Sequence, residues 1–245
     1  MAAATPLRDR IVLITGASKR IGRALAIATA EAGADVIVHY RTSKAKAEET
    51  RTEIEALGRQ AWCLQADLSK EDEVVRLAEE AFDVAPVYGL VNNAAIFAGG
   101  PLEETNPADW AAHLAVNLTA PFLLTQAFAR LLGAAAEGRV VNLLDWRALR
   151  PGADHFAYTV SKLALAGMTR SLALSLAPRV SVNGLALGAF LPPAGAERDP
   201  SIIGHIPAGR WGELHEAGHA LVFLLAGPAY VTGEVISLDG GRHLL

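Results

Sequence analysis

One turn decides the fold of this chain, Thr15-Gly16-Ala17-Ser18-Lys19-Arg20-Ile21-Gly22. It follows Arg10 to Thr15, an apolar run without polar alternation, which is typical of a parallel strand covered on both faces. Ile21 to Ala32 then carries Ala, Leu and Ile at helical spacing. Gly16 permits a tight turn and Gly22 lets helix and strand approach closely, so that the helix N-terminus can offer N–H groups to a pyrophosphate. An ordinary strand-to-helix turn is the alternative interpretation.

Short apolar runs and longer segments of helical period alternate along the whole chain. Strands are predicted over 10–15, 35–40, 60–65, 88–92, 139–144, 179–185 and 234–238, and helices over 21–32, 43–57, 70–82, 107–132, 157–176 and 213–225. This alternation predicts a single α/β domain over 1–245 with a Rossmann-like, doubly wound parallel sheet of about seven strands. The irregular segment 188–212 follows a strand end, where such sheets bind ligands, and is the predicted substrate loop.

Composition excludes several classes of protein. The formal net charge is −4 and 20% of the residues are charged, which argues against nucleic acid or an anionic membrane surface as the main partner. No apolar run is long enough to span a bilayer, and the N-terminus lacks the features of a secretory signal. Cys63 is the single cysteine, which indicates a reducing compartment, and its apolar neighbours predict a buried thiol. We therefore expect a cytoplasmic protein with a small-molecule substrate.

The residues after the second predicted strand bear on the choice of dinucleotide. A carboxylate there would bind the ribose hydroxyls of NAD and repel the extra phosphate of NADP. This chain has His39-Tyr40-Arg41-Thr42-Ser43 instead, with no acid. Arg41 can bind a phosphate through two nitrogens, and Ser43 can donate a hydrogen bond to it. The stretch therefore favours NADP(H), and Tyr40, Arg41 and Ser43 are its candidate cofactor-binding residues. A solvated Arg41 and a helix-capping Ser43 are the alternatives.

Tyr158 and Lys162 are four residues apart and share one face of a predicted helix. An ammonium near a phenol stabilises the phenolate, so this pair suits a tyrosine whose pKa must fall toward the working pH. Many surface helices carry such a pair by chance. Its context in this chain makes it informative.

With these features, nearly the whole chain resembles the short-chain dehydrogenase/reductase family. The matching stretches, in order, are the turn 15–22, Ala66-Asp67-Leu68, Asn92-Asn93-Ala94-Ala95, Val116-Asn117-Leu118, the pair Tyr158 and Lys162, and Asp239-Gly240-Gly241. The resemblance implies a homotetramer formed through the helices that bear Asn117 and Tyr158.

The resemblance also implies a role for each matching residue. Tyr158 would be the proton donor or acceptor, Lys162 would bind the nicotinamide ribose and lower the tyrosine pKa, and Asn117 would hold a water of the proton relay. Asp67 and Asn93 would contact the adenine side. The implied cofactor-binding set is Gly16, Ser18, Arg20, Ile21, Gly22, Tyr40, Arg41, Ser43, Asp67, Leu68, Asn93, Ala94, Tyr158, Lys162 and Gly188.

Departures from the family pattern narrow the resemblance further. Most members have glycine where Arg20 stands, serine where Asp145 stands thirteen residues before Tyr158, and Pro-Gly where this chain has Leu187-Gly188. The arginine, the aspartate, Phe97 and the stretch 39–43 together resemble the pteridine reductase branch, whereas the Leu187-Gly188 departure bears only on the path of the following loop. That branch implies a pterin stacked on Phe97, with Arg20 contacting pyrophosphate and pterin and Asp145 acting beside Tyr158 to protonate a ring nitrogen.

Physical chemistry supports a pterin-like substrate but leaves alternatives. A flat heteroaromatic gains from stacking on Phe97, and its ring nitrogen needs a proton source such as Asp145 or Tyr158 when hydride arrives. Asp145 as a solvated loop acid, Phe97 as loop packing and Arg20 as a pyrophosphate ligand alone are the plainer interpretations. A ketone or 3-oxoacyl reductase with the same Tyr158 and Lys162, and a non-catalytic NADP-binding protein, are the alternative functions.

A second motif points to different chemistry. His215-Glu216-Ala217-Gly218-His219 matches the pattern that binds zinc in metalloproteases. No third ligand is evident, and Gly218 weakens the helix that such a site needs. The segment falls where the family has a surface helix before its last strand. We therefore expect no metal and interpret His215 and His219 as solvated helix residues.

Overall fold

The computed structural model describes residues 5–134, 136–192 and 195–245. Its centre is a seven-stranded parallel sheet with the strand order β3-β2-β1-β4-β5-β6-β7. The strands are β1 Ile11–Ile14, β2 Asp35–Tyr40, β3 Ala61–Gln65, β4 Gly89–Asn92, β5 Gly138–Asp145, β6 Val180–Leu187 and β7 Val235–Leu238. The helices are α1 Arg20–Glu31, α2 Lys44–Ala56, α3 Glu71–Val84, α4 Pro107–Leu114, α5 Ala120–Leu131, α6 Phe156–Leu176 and α7 Leu214–Ala226. The predicted Rossmann-like fold is confirmed.

Both faces of the sheet are covered, which explains why its strands read as continuous apolar runs. Alternate residues of β1 enter two separate cores. Val12 packs in the core that includes Leu25 of α1 and Leu221 of α7. Leu13 packs in the opposite core with Leu77 of α3, and α5 joins them there. A polar residue at any of the last three positions of β1 would therefore be buried.

Strand order places the binding crevice. β1 pairs with β2 on one side and with β4 on the other, so the chain reverses its direction across the sheet at this point. The loops after β1 and β4 therefore leave in different directions at the carboxyl ends of their strands. Such a switch point is where open α/β sheets bind ligands.

The prediction of one continuous helix over Pro107 to Leu132 was wrong at its centre. α4 and α5 are separated by a π-helical turn over Ala115–Thr119. Pro121 has no N–H to donate to the carbonyl of Asn117 four residues earlier, so the α-helical ladder cannot run unbroken there. π-helical turns occur frequently at functional sites, and this one carries Asn117.

Other differences from the sequence predictions are smaller. Cys63 is half-buried rather than buried. The predicted substrate loop contains a short 3-10 helix over Pro200–His205, and its residues 193 and 194 lie outside the described residues. In the described part of the chain, no helix is long and apolar enough to cross a membrane.

Candidate active site

The turn after β1 is held by side chains as well as by its glycines. Gly16 has a φ of +64°, and a Cβ on Gly22 would lie 2.1 Å from the Gly16 carbonyl oxygen. The Thr15 hydroxyl oxygen accepts hydrogen bonds from the backbone N–H groups of Asn93 and Ala94, both at 2.9 Å. The Asn93 side-chain amide donates to the Thr15 carbonyl at 2.7 Å. The side-chain amide of Asn93, which was expected to contact the adenine, thus links the end of β4 to the turn.

A buried histidine, His39, supports this turn through a hydrogen bond to its backbone. The Gly16 N–H donates to His39 Nδ1 at 3.0 Å, and His39 Nε2 lies 3.1 Å from the Ala66 carbonyl oxygen. This arrangement requires a neutral ring with its proton on Nε2. Burial lowers the pKa of His39 to about 4, although the hydrogen bond that its ring donates to the Ala66 carbonyl acts to raise it. His39 thereby links the turn, β2 and the end of β3.

The His39 contacts predict an acid-sensitive fold. The folded pKa lies below the ordinary 6.5, so the stability that the neutral ring contributes is present above pH 6.5 and is lost as pH falls toward 4. Between pH 6.5 and 5 the free energy of unfolding should fall by about 2 kcal/mol from this group alone. Urea unfolding of wild type and His39→Gln measures it. The glutamine can make both bonds without titrating, so equal slopes against pH would contradict the assignment.

The turn opens into a cavity of about 440 Å³ beside the switch point. Lys19 precedes α1, and its side chain makes no capping hydrogen bond to that helix. Ser43 precedes α2 and likewise makes no capping hydrogen bond, so the capping alternative for its hydroxyl is not realised. The cavity brings together twelve of the predicted cofactor-binding residues, namely Gly16, Ser18, Arg20, Ile21, Gly22, Tyr40, Arg41, Ser43, Asp67, Leu68, Asn93 and Ala94.

One carboxylate lies in this cavity. The backbone N–H and hydroxyl of Ser69 both donate to Asp67, at 3.1 and 2.8 Å, and these bonds lower the pKa of Asp67. Arg41 contributes to the same shift through its charge. Asp67 is therefore ionised and can accept hydrogen bonds from N–H or O–H groups of a ligand.

A second cavity, of about 410 Å³, shares Arg20, Ile21, Asn93, Ala95 and Phe97 with the first. Its walls also contain four further residues predicted from the sequence, Asp145, Tyr158, Lys162 and Gly188. The two cavities adjoin, so a ligand extended along the first would reach the polar groups of the second.

Tyr158 and Asp145 form the polar centre of the second cavity. The phenol donates to Asp145 Oδ2 over 3.1 Å, and the other oxygen of Asp145 accepts from the Arg147 N–H at 2.9 Å. Burial raises the pKa of Tyr158 well above its ordinary value, and the charge of Asp145 raises it further. The phenol therefore keeps its proton, which suits a proton donor. The expectation that Lys162 lowers this pKa stays a prediction.

Lys162 and Asn117 are buried beneath the tyrosine. The Lys162 ammonium donates to the Leu143 carbonyl at 2.7 Å, and burial lowers its pKa to about 8. The Asn117 side chain accepts from the Ile96 N–H at 2.9 Å and donates to the Ser161 hydroxyl at 3.0 Å. Asn117 thus connects the π-helical turn, the loop after β4 and α6.

Phe97 lies half-exposed at the mouth of the cavity. Its ring stacks on His155 with centroids 4.2 Å apart and meets the Tyr158 ring edge-on at 4.7 Å. Arg20 begins α1 with a φ of +55°, a conformation that favours glycine, and it donates to the carbonyl of Pro192 across the cavity. Arg20 therefore joins the turn to the predicted substrate loop.

Comparison with known proteins identifies the family of this chain. The model of the short chain dehydrogenase family matches residues 10–201. The chain belongs to the short-chain dehydrogenase family. The expected enzyme class, an oxidoreductase acting on small molecules, is confirmed at that level.

Similar proteins in this family have different substrates. A 3-oxoacyl-[acyl-carrier-protein] reductase of Synechocystis is 34% identical over 244 residues, covering 97% of this chain and 98% of the relative. A 2-dehydro-3-deoxy-D-gluconate 5-dehydrogenase of Bacillus subtilis is also 34% identical, with 96% and 95% covered. The structure of FolM alternative dihydrofolate reductase 1 of Brucella canis, complexed with NADP, is 35% identical with a TM-score of 0.90, covering 98% of this chain and 96% of that one.

The zinc-like motif of this short-chain dehydrogenase lies on α7, away from both cavities. His215 and His219 are exposed, with ring centroids 5.6 Å apart, and Glu216 is bound by Arg210. Gly218 has a packing reason, since a Cβ there would lie 2.5 Å from the Ala28 side chain of α1. Within residues 5–134, 136–192 and 195–245, no group of three or more His, Cys, Asp or Glu side chains is placed to hold a metal ion.

Several residues of the second cavity were not predicted from the sequence. Trp146, Arg147, His155 and Arg242 all line it. Trp146 and Arg147 directly follow Asp145, and His155 lies three residues before Tyr158, so proximity to predicted residues was the available signal. Arg242 comes from the C-terminal segment, and only the fold brings it there.

Proposed function

We propose that this short-chain dehydrogenase is an NADPH-dependent reductase of pterin-like C=N bonds. The observation that carries the proposal is the hydrogen bond from Tyr158 to Asp145, at 3.1 Å, inside the second cavity. A carboxylate beside the proton-donating phenol suits a substrate with N–H groups. A ketone oxygen offers only lone pairs, which the same carboxylate would repel.

The residues of the first cavity fit NADP(H). Gly22 allows the start of α1 to lie close to Gly16, and the uncapped start of that helix leaves backbone N–H groups for a pyrophosphate. Arg41 and the uncapped hydroxyl of Ser43 would hold the 2′-phosphate. Lys162 and Gly188, in the second cavity, would lie at the nicotinamide ribose. When bound, the cofactor supplies a hydride.

Changing Arg41→Ala should weaken NADPH binding far more than NADH binding. Only NADPH carries the 2′-phosphate, and losing a charge-assisted hydrogen bond to it should cost about 1.5–3 kcal/mol. Titration of each dinucleotide by protein fluorescence measures both dissociation constants. Equal weakening of NADPH and NADH would mean that Arg41 does not contact the phosphate.

The proton in the reaction would come from the chain's own residues. Reduction of C=N adds a hydride at carbon and a proton at nitrogen. Tyr158 holds its proton because burial and the charge of Asp145 raise its pKa, so the phenol is poised to give that proton to a basic ring nitrogen. Asp145 orients the phenol and can accept a hydrogen bond from an amino group of the pterin. Asn117 would support this side of α6 through Ser161.

Two further residues would position the ring. The half-exposed face of Phe97 offers a stacking surface at the mouth of the cavity. Arg20 lines both cavities, so one guanidinium could contact the pyrophosphate and the pterin together. The segment 188–212 would close over the substrate, and the bond from Arg20 to Pro192 would help to hold it.

A substrate panel tests the proposed function directly. Purified protein is mixed with NADPH and dihydrobiopterin, dihydrofolate, a 3-oxoacyl thioester or a simple ketone, and loss of nicotinamide absorbance gives each rate. We expect the pterins to be reduced with the higher kcat/KM. Reduction of the 3-oxoacyl compound alone would make the chain a carbonyl reductase like its Synechocystis relative. No oxidation of NADPH with any substrate would favour a non-catalytic binding protein.

We also propose a homotetramer, as is common in this family. Phe122 on α5 and Leu163 on α6 are exposed large apolar residues on the two helices expected at the interface. Burial of such side chains between subunits would stabilise the assembly.

A further inference from the structure

A row of flat groups leads from Phe97 along one wall of the second cavity. The Arg147 guanidinium lies 5.9 Å from the centre of the Phe97 ring and 4.9 Å from the centre of the Trp146 ring. The Arg242 guanidinium lies 4.2 Å from the same Trp146 ring. The row therefore ends in the guanidinium of Arg242, which lies in the C-terminal segment.

The two arginines of this row differ in their partners. Arg147 is paired with Asp154 and lies 3.5 Å from Asp145. Among the residues that the structure describes, Arg242 has no carboxylate within ion-pair distance, and the nearby Asp239 is bound by His243 at 2.8 Å. Arg242 is half-buried, and burial together with the charge of Arg147 lowers its pKa. A partly desolvated guanidinium without a carboxylate partner is costly unless it binds another anion.

A smaller cavity of about 320 Å³ lies on the other side of this cation. Trp146 and Arg242 line both this cavity and the substrate cavity. Arg150 and His205, both exposed, also line it together with Leu245, and none of its lining side chains is acidic. Three basic side chains therefore line a space that shares two of its wall residues, Trp146 and Arg242, with the substrate cavity.

We propose that Arg242, with Arg150 and His205, forms a subsite for a carboxylate on the tail of the substrate. This inference rests on the proposed function, since the reacting ring would lie at Phe97, Asp145 and Tyr158. Trp146 would flank the middle of the tail. The preferred substrate is then a pterin conjugated to an acidic tail, as in dihydrofolate, and an unconjugated pterin with a neutral side chain would be reduced with a higher KM.

Steady-state kinetics with two substrates test the subsite. Dihydrofolate carries a glutamate tail and dihydrobiopterin a neutral one, and both present the same type of ring. In Arg242→Gln we expect KM for dihydrofolate to rise about tenfold or more, with kcat little changed and dihydrobiopterin kinetics within about twofold of wild type. Arg242→Lys keeps the charge and should restore part of the loss. Arg76→Gln, an exposed arginine of α3 paired with Glu80, is the matched control. An equal change for both substrates would overturn the subsite.

A binding measurement separates failure of the subsite from failure of the proposed function. Calorimetry with p-aminobenzoylglutamate, in the presence of NADP⁺, reports on the tail alone and needs no turnover. We expect wild type to bind it, and both Arg242→Gln and amidation of its two carboxylates to weaken binding about tenfold. If neither pterin is reduced but this pattern holds, the subsite stands and the proposed reaction fails. No binding by wild type, or equal binding by Arg242→Gln, would overturn the subsite.

Discussion

Replacing Tyr158 with phenylalanine should lower kcat by about 10²–10⁴-fold, the usual contribution of a positioned proton donor. The substitution removes one hydroxyl, keeps the ring that contacts Phe97, and leaves Lys162 bonded to the Leu143 carbonyl. NADPH should therefore bind nearly as in wild type. Stopped-flow oxidation of NADPH and a fluorescence titration of the cofactor measure the two properties separately.

Tyr230→Phe is the matched control for this loss, because Tyr230 is fully exposed and lies away from both cavities. It should leave kcat unchanged. Tyr158→Phe at near-normal rate would contradict the role of the phenol and transfer proton donation to Asp145.

Most of the fold follows from sequence patterns that are local. Strands buried on both faces give apolar runs, and the glycines of the turn at 15–22 reflect a contact that a side chain would fill. The π-helical turn over Ala115–Thr119 could not be predicted in the same way, because the apolar pattern of a helix continues past Pro121. A proline inside a helical pattern signals a break, but the pattern alone does not show that the break takes the form of a π-helical turn.

Some residues of the candidate site could likewise be predicted from the sequence, and others could not. Residues tied to a turn or a helix period, such as Gly16, Tyr158 and Lys162, could be predicted and line two adjoining cavities. The support that His39 gives to the turn could not be predicted, since a histidine in a strand shows no partner in the sequence. Arg242 reaches the site only through the order of the strands and the final turn. Long-range contacts of this kind depend on the whole fold.

The second large effect concerns Asp145, the residue that separates a pterin reductase from a carbonyl reductase. Asp145→Ser removes the carboxylate beside Tyr158 and leaves a hydroxyl that can polarise a carbonyl oxygen. Dihydropterin reduction should fall by about 10²-fold or more if assistance to proton transfer is lost. Ketone reduction should be unchanged or rise, because no negative charge then faces the carbonyl oxygen.

Loss of the Asp145 carboxylate should also change the contacts of Arg147 and the pKa of Tyr158. Arg147 would keep Asp154 but lose the contact at 3.5 Å with Asp145, and the Asp145 charge would no longer raise the pKa of Tyr158. Asp145→Asn is the useful companion variant, since it keeps the shape of the side chain and removes its charge. It should resemble Asp145→Ser on pterins if the charge matters and wild type if only a hydrogen bond does.

The most direct test is the ratio of kcat/KM for dihydrobiopterin to kcat/KM for a simple ketone, at saturating NADPH, in wild type and in Asp145→Ser. A pterin reductase built around Asp145 and Tyr158 predicts that this ratio falls by about 10²-fold or more in the variant. A ratio that stays the same or rises would contradict the assignment of Asp145 and leave the chain as a carbonyl reductase.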